Sequence, residues 1–372
     1  YLISAGMSVF GDNPFGWRIV PDLAGILLVI LVYIFTKKLT LSRGAAIIAS
    51  TLLSTDFMHF MITRMASLES TLAFFAILSV FFLYCYAEAR RCGESFNATL
   101  RYLLPCALSV ALAISIKWSA LYSLMTALLM IIYFEFVYSY RDSLRTKLIA
   151  VFNIGALFIV LPVSLYFSCY YPTVFYPFYK SSGINNFWSF VSSLQPVMYQ
   201  FHTEMVNHMS NGGGGSEWWQ WPLIIHPQIV YRWLDSNSNL SSIGVLMGNP
   251  LIWWLFYPSL LLMPIHVLKI RKFMPLFLLT ATLLQFSPYA LLGRISYIYY
   301  FYISSVFGIM ILGYLLSQAL QLKNKRLTFL IIGYVIACVL LFIAFYPLLS
   351  GLPVDRGYFI KYLLWYHNWQ FI

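Results

Sequence analysis

The sequence predicts an all-α polytopic membrane protein, and three observations carry that prediction. Hydrophobic residues make up 61% of the 372 positions and charged residues only 9%, too little charge to cover a soluble domain of this size. Apolar runs of about 17–22 residues recur along the chain, each long enough to cross a hydrocarbon core as helix. The loops between the runs alternate in charge, which sets a topology.

In chain order the spans are expected at 17–36, 43–58, 69–88, 100–116, 118–138, 147–168, 250–268, 273–292, 296–318 and 327–347. Alternate loops then carry Lys37, Lys38 and Arg43; Arg90, Arg91 and Arg101; Arg141, Arg145 and Lys147; Lys269, Arg271 and Lys272; and Lys323, Lys325 and Arg326. The remaining basic residues of the chain's 23 are spread over every other segment. Positive-inside bias puts the basic loops in the cytoplasm. The net charge of +11 is therefore topological, and no nucleic-acid partner is needed to explain it. Ten spans in this register place both ends of the chain outside. A chain starting there without Met or a signal segment reads as lacking an N-terminal portion.

Four segments follow: helices over 1–168, a long outer loop over 169–249, helices over 250–347, and an aromatic tail over 348–372. The loop holds a helical-looking stretch from Phe187 to Met209 and then "NGGGGSEWWQWPLIIHP". Its glycines lack the Lys-Ser and strand context of a phosphate loop and read as a flexible linker. Trp218, Trp219 and Trp221 admit two readings, an interfacial aromatic belt or a stacking wall beside a lipid or sugar ligand. The tail's Tyr358, Phe359, Tyr362, Trp365 and Trp369 suit a helix lying in the interface. Cys85, Cys92, Cys106, Cys169 and Cys338 show neither metal spacing nor a disulfide pattern.

Charge is costly in lipid, so its placement is informative. In "MITRMASLES" Arg64 and Glu69 stand between two apolar runs. Arg18 and Asp22, one turn apart, fit an intrahelical ion pair, and Arg64 and Glu69 could pair likewise. Boundary decoration explains any one of these residues. Convergence is harder to dismiss, because several outer loops and the tail bring arginine, histidine or clustered aromatics to one face. An enzyme handling a phosphate-linked lipid needs cations there as charge grows on the departing phosphate. It also needs aromatic walls for a sugar and an apolar groove for the tail. Asp56 and the other outer acidic residues read as loop carboxylates with no second group to orient them.

The motifs "FGWRIVPDLAG", "LTLSRGAAIIASTLLSTD", "ITRMASLESTLAFFAILSVFFLYCYAEAR", "ALAISIKWSALY", "WWQWPL", "GNPLIWW" and "LLGRISYIYYFY" resemble, in order, those of the protein O-mannosyltransferases. The resemblance covers essentially the whole chain and implies a GT-C-type membrane fold of eleven spans, about ten of them visible here. It implies inverting transfer of mannose from polyprenyl-phosphate mannose to Ser or Thr hydroxyls of exported polypeptides. It places the protein in the cell membrane, multi-pass, with its active face outside (the ER membrane in a eukaryote). It implies no metal and no cofactor beyond the lipid-linked donor, and it admits a dimer. Eighty residues cannot hold the β-trefoil inserted in eukaryotic members, which favours a bacterial type.

Residue by residue, the resemblance gives catalytic positions to Arg18, Arg64 and Glu69, the last standing where the family usually has Asp. His202, His208, Trp219, Trp221 and Arg294 take substrate-binding positions. The family's acidic base lies in the first outer loop, which this numbering puts upstream of Tyr1, so residues 1–372 alone are expected not to transfer mannose. Glu204 is the reserve base. Two departures stand out: His226 precedes Pro227 where arginine is usual, and "YIYYFY" replaces a histidine after Gly293-Arg294. The alternatives are a GT-C transferase with a lipid or glycan acceptor, an inactive binding subunit, and a transporter. Against the transporter, no pair of spans carries matched Gly/Pro breaks.

Overall fold

The computed structural model describes residues 1–138, 143–175, 186–203, 215–234, 240–270, 273–291, 296–366 and 369. In chain order its helices are α1 (Leu2–Phe10), α2 (Pro14–Thr40), α3 (Arg43–Ser54), α4 (Phe57–Arg64), α5 (Glu69–Arg91), α6 (Phe96–Ile116), α7 (Leu121–Tyr138), α8 (Leu144–Gly155), α9 (Leu161–Ser168) and α10 (Phe187–Thr203). Strands β1 (Gln228–Leu234) and β2 (Leu240–Leu246) come next. Helices α11 (Phe256–Ile270), α12 (Phe273–Phe286), α13 (Tyr302–Leu320) and α14 (Lys325–Ser350) follow, and a short β3 (Val354–Asp355) adds to the sheet.

Polar residues set the helix starts. Asn13 accepts from the N–H groups of Phe15 and Gly16 with Pro14 in the first turn of α2, Ser42 caps α3 and Asn324 caps α14, each meeting donors a helix leaves open. Among the described residues nine helical stretches are long and apolar enough to cross a membrane, and α3 with α4, bent by 59°, form a tenth as one broken span. The expected spans are all found. The one expected at 43–58 differs in kind, because it breaks at Thr55–Asp56 and continues to Arg64 at a new angle.

The chain divides into two compact units. The first holds Tyr1–Phe74, Gly214–Ala290 and Ile295–Ile372. Its core is α13, buried along most of its length and packed on α3, α11 and α12. A Cβ at Gly313 would lie 2.9 Å from the Cβ of Ala49, so glycine permits the close crossing of α13 and α3. Where α2 meets α4, a Cβ on Gly25 would collide with Thr63. The sheet, in the order β1-β2-β3, is antiparallel throughout. Its strand β2 is almost wholly buried and packs on α4 and α14. The tail forms short helical turns over Arg356–Leu363. Trp369 is buried and donates to the Ile224 carbonyl at 2.7 Å, so this tail tryptophan is anchored in protein and does not face the interface.

The second unit holds Phe75–Gly213 and Leu291–Arg294. Arg90 on α5 grips Glu135 on α7 in a bidentate pair at 2.7 and 3.0 Å, and the Tyr86 hydroxyl donates to the same carboxylate. Two charges this buried are tolerable because each satisfies the other. At another level the Trp118 indole donates to Tyr166, whose hydroxyl donates to Gln195, tying α9 to α10.

Candidate active site

The first unit gathers the ionisable residues that the sequence puts at helix ends. Arg18 lies in the second turn of α2, behind the Asn13 cap and an Asp12 carboxylate that accepts from the Trp17 indole at 2.6 Å. It is exposed and forms no hydrogen bond or ion-pair contact with the described residues. Asp22 follows one turn later and is half-buried. The expected Arg18–Asp22 ion pair is not a contact. The Asp22 carboxylate instead lies in the field of two guanidinium groups, those of Arg18 and Arg64.

Arg64 closes α4. Its Nη1 donates to the Leu349 carbonyl at 2.9 Å, and its guanidinium lies 5.4 Å from the Phe60 ring centre. Glu69 opens α5, and the adjacent Ser70 hydroxyl donates to the Pro21 carbonyl at 2.6 Å. That bond ties the first turn of α5 to α2 at the residue before Asp22. Glu69 also acts electrostatically on Tyr299 and Tyr302. Arg18, Arg64 and Glu69 are therefore held at adjoining helix ends of one unit.

Behind them is a buried string of groups that the sequence reading missed. Asp56 is fully buried; its Oδ2 accepts from the His59 N–H at 3.2 Å and its Oδ1 from the Asn249 N–H at 3.0 Å. The Trp253 indole N–H approaches the same carboxylate without reaching hydrogen-bond geometry. The Asn249 side-chain amide donates to the carbonyls of Thr55 and Cys338. His59 Nδ1 and the Tyr302 hydroxyl share a bond of 2.7 Å. Asp56 is thus not a loop carboxylate: it caps α4 and stitches the break to Asn249, which aims α4 and Arg64. Two signals could have found this, an Asp inside an apolar run and Asn249-Pro250 as cap plus first-turn proline.

The tryptophans separate. Trp221 is fully buried, edge-on to Tyr289 at 5.1 Å, and its indole N–H finds no partner among the described residues. It is a core residue and cannot serve as a stacking wall, because no face is left for a ligand. Trp219 is 42% exposed, donates to Glu217 at 2.6 Å and accepts at its carbonyl from Tyr257, so its face is open. The side chain of His202, and Glu204, His208 and Arg294 altogether, lie outside the described residues. Among the described residues no group of His, Cys, Asp and Glu could hold a metal ion.

The helical arrangement defines the class, a membrane glycosyltransferase of the GT-C fold. It is similar to the Saccharomyces cerevisiae Pmt1–Pmt2 protein O-mannosyltransferase complex bound to its sugar donor, with TM-score 0.77 and 12% identity over 95% of this chain and 80% of that one. It is also similar to ArnT from Cupriavidus metallidurans bound to undecaprenyl phosphate, with TM-score 0.52 and 15% identity over 98% of this chain and 60% of that one.

Two family models divide the sequence between them. "Dolichyl-phosphate-mannose-protein mannosyltransferase" matches residues 1–175, and "C-terminal four TMM region of protein-O-mannosyltransferase" matches residues 187–369. The polyprenol-phosphate-mannose–protein mannosyltransferase of Mycolicibacterium smegmatis is 23% identical over 99% of this chain and 80% of its own length. That of Mycobacterium tuberculosis is 24% identical over 99% and 79%. The chain belongs to the protein O-mannosyltransferase family.

Proposed function

We propose that this protein transfers mannose from polyprenyl-phosphate mannose to Ser or Thr hydroxyls of exported polypeptides, with inversion, at the outer face of the membrane it spans. One observation carries the reading: two arginines share a single carboxylate, and one of them, Arg18, is exposed and uncommitted. A half-neutralised cation pair at a helix end suits a phosphate whose charge grows as it leaves. In the reaction the acceptor oxygen attacks the anomeric carbon, and the bond from that carbon to the phosphate oxygen breaks. The phosphate departs with the lipid, and the hydroxyl proton passes to a carboxylate base.

Arg18 and Arg64 hold the phosphate, with bidentate geometry available to each. Asp22, between them, acts as their counter-ion. Glu69 orients the acceptor side of the site, and Glu204 is the carboxylate to test as base within residues 1–372. Trp219, His202, His208 and Arg294 are the substrate contacts to test, Trp219 as the sugar wall. The basic loops support cytoplasmic placement of the opposite helix ends.

Membranes carrying the full chain, given radiolabelled polyprenyl-phosphate mannose, test the reading. Label on protein, released by β-elimination, is expected. Label recovered on lipid or glycan alone would replace this reading with a transferase of the same fold and a different acceptor class.

A further inference from the structure

We propose that strand β1 is the docking edge for the acceptor, an extended polypeptide that adds to the sheet as a further strand. The inference rests on the protein-acceptor reading above.

The sheet runs β1-β2-β3, so β1 is an edge. Residues 228–234 form no backbone hydrogen bond with described residues other than those of β2. Every second N–H and C=O along β1 therefore points away from the sheet without a strand to meet it. Tyr231 is 52% exposed and Trp233 45%, and Arg232 between them is exposed as well. Strand β2 behind them is buried, so the scaffold under the edge is rigid.

The chemistry of the edge selects its occupant. Lipid cannot satisfy a row of unpaired backbone groups, and leaving them in hydrocarbon costs several kcal/mol each. The exposed aromatics alone would fit an interfacial belt, but the open backbone beside them requires a partner with its own N–H and C=O groups. An extended polypeptide supplies them. Pairing through the backbone binds chains of varied sequence, which suits an enzyme that must accept many proteins at isolated hydroxyls.

Position supports the same occupant. Trp233 pairs with Ser242 across the sheet. The Ser242 hydroxyl donates to the Gly351 carbonyl at 2.5 Å, two residues beyond the Leu349 carbonyl that accepts from Arg64. The edge and the proposed phosphate-holding arginine are thus anchored on one turn of chain at the end of α14.

Synthetic acceptors with a single Thr and one backbone N-methyl group, moved residue by residue, test the proposal on the full chain in nanodiscs. N-methylation at alternate positions should raise the acceptor KM roughly three- to tenfold, the equivalent of one net hydrogen bond. The interleaved positions, and the donor KM, should not change. A benzoyl-phenylalanine photoprobe in place of Tyr231 should cross-link to the peptide. Efficient transfer with no period of two would overturn the docking mode and leave the acceptor reading standing. Cross-links to a second copy of the chain alone would overturn it too. Failure of every peptide to accept mannose, with label found only on lipid, would overturn both.

Discussion

Replacing Asp56 by Asn tests whether the broken span is held as described. The substitution keeps the shape of the side chain but leaves one acceptor oxygen where two are needed. In the fully buried site that oxygen can serve the N–H of Asn249 or that of His59, now bonded at 3.0 and 3.2 Å, while the new NH2 group faces the other. Losing one hydrogen bond to a charged acceptor and confronting two buried donors should cost about 2–4 kcal/mol. Asn324→Ala removes an exposed cap in the same unit and should cost about 1 kcal/mol. Reversible unfolding in mixed micelles, titrated with SDS, compares the two. An Asp56→Asn variant no less stable than Asn324→Ala would show that the carboxylate does not hold the break. If the account holds, Asp56→Asn should also lower mannose transfer, because α4 carries Arg64.

Three further outcomes are expected. Gly25→Ala drives a methyl group into Thr63 and should destabilise by about 1–3 kcal/mol as an overpacked contact, with Thr63→Ser recovering part of the loss; an unchanged unfolding midpoint would refute the close crossing of α2 and α4. Trp221→Ala should cost about 3–5 kcal/mol as a core cavity, whereas Trp219→Ala should lose about 1 kcal/mol of stability, one hydrogen bond's worth, and raise a substrate KM. Equal stability losses would contradict the assignment of one tryptophan to the core. Cysteines at Leu352 and Asn324, both exposed at opposite ends of α14, should differ with an impermeant thiol reagent on intact cells, Leu352→Cys reacting and Asn324→Cys not. The reverse pattern would invert the orientation.

Long uniform features were legible in the sequence and short mixed ones were not. The apolar runs gave the spans because a membrane helix has few other ways to satisfy its backbone. The break at Asp56 stayed hidden, because the apolar run around it continues and hydropathy ignores which donors a carboxylate meets. The hairpin was missed although "QIVYRWL" and "LSSIGVL" are rich in strand formers; a loop between spans invites reading for belts and linkers. Trp219 and Trp221 differ by two residues and by complete burial, a distinction set by Tyr289, far off in sequence. For the site, Arg18, Arg64 and Glu69 were legible as charges in costly places. That Asp22 answers to both arginines, and that Ser70 fixes Glu69 against α2, depends on helix packing that no local pattern encodes.

The central claim is that Arg18 and Arg64 hold the departing phosphate, and the transfer rate of Arg18→Ala at equal expression tests it most directly. Loss of one good donor to the developing charge is worth about 2–4 kcal/mol, or roughly 30- to 1,000-fold in rate. Arg18→Lys should recover part of it, since charge is kept and bidentate geometry is lost. The account predicts a fall of that size, with label on protein reduced and the fold intact. Near-normal transfer by Arg18→Ala would contradict it and leave Arg18 as a surface charge at the start of α2.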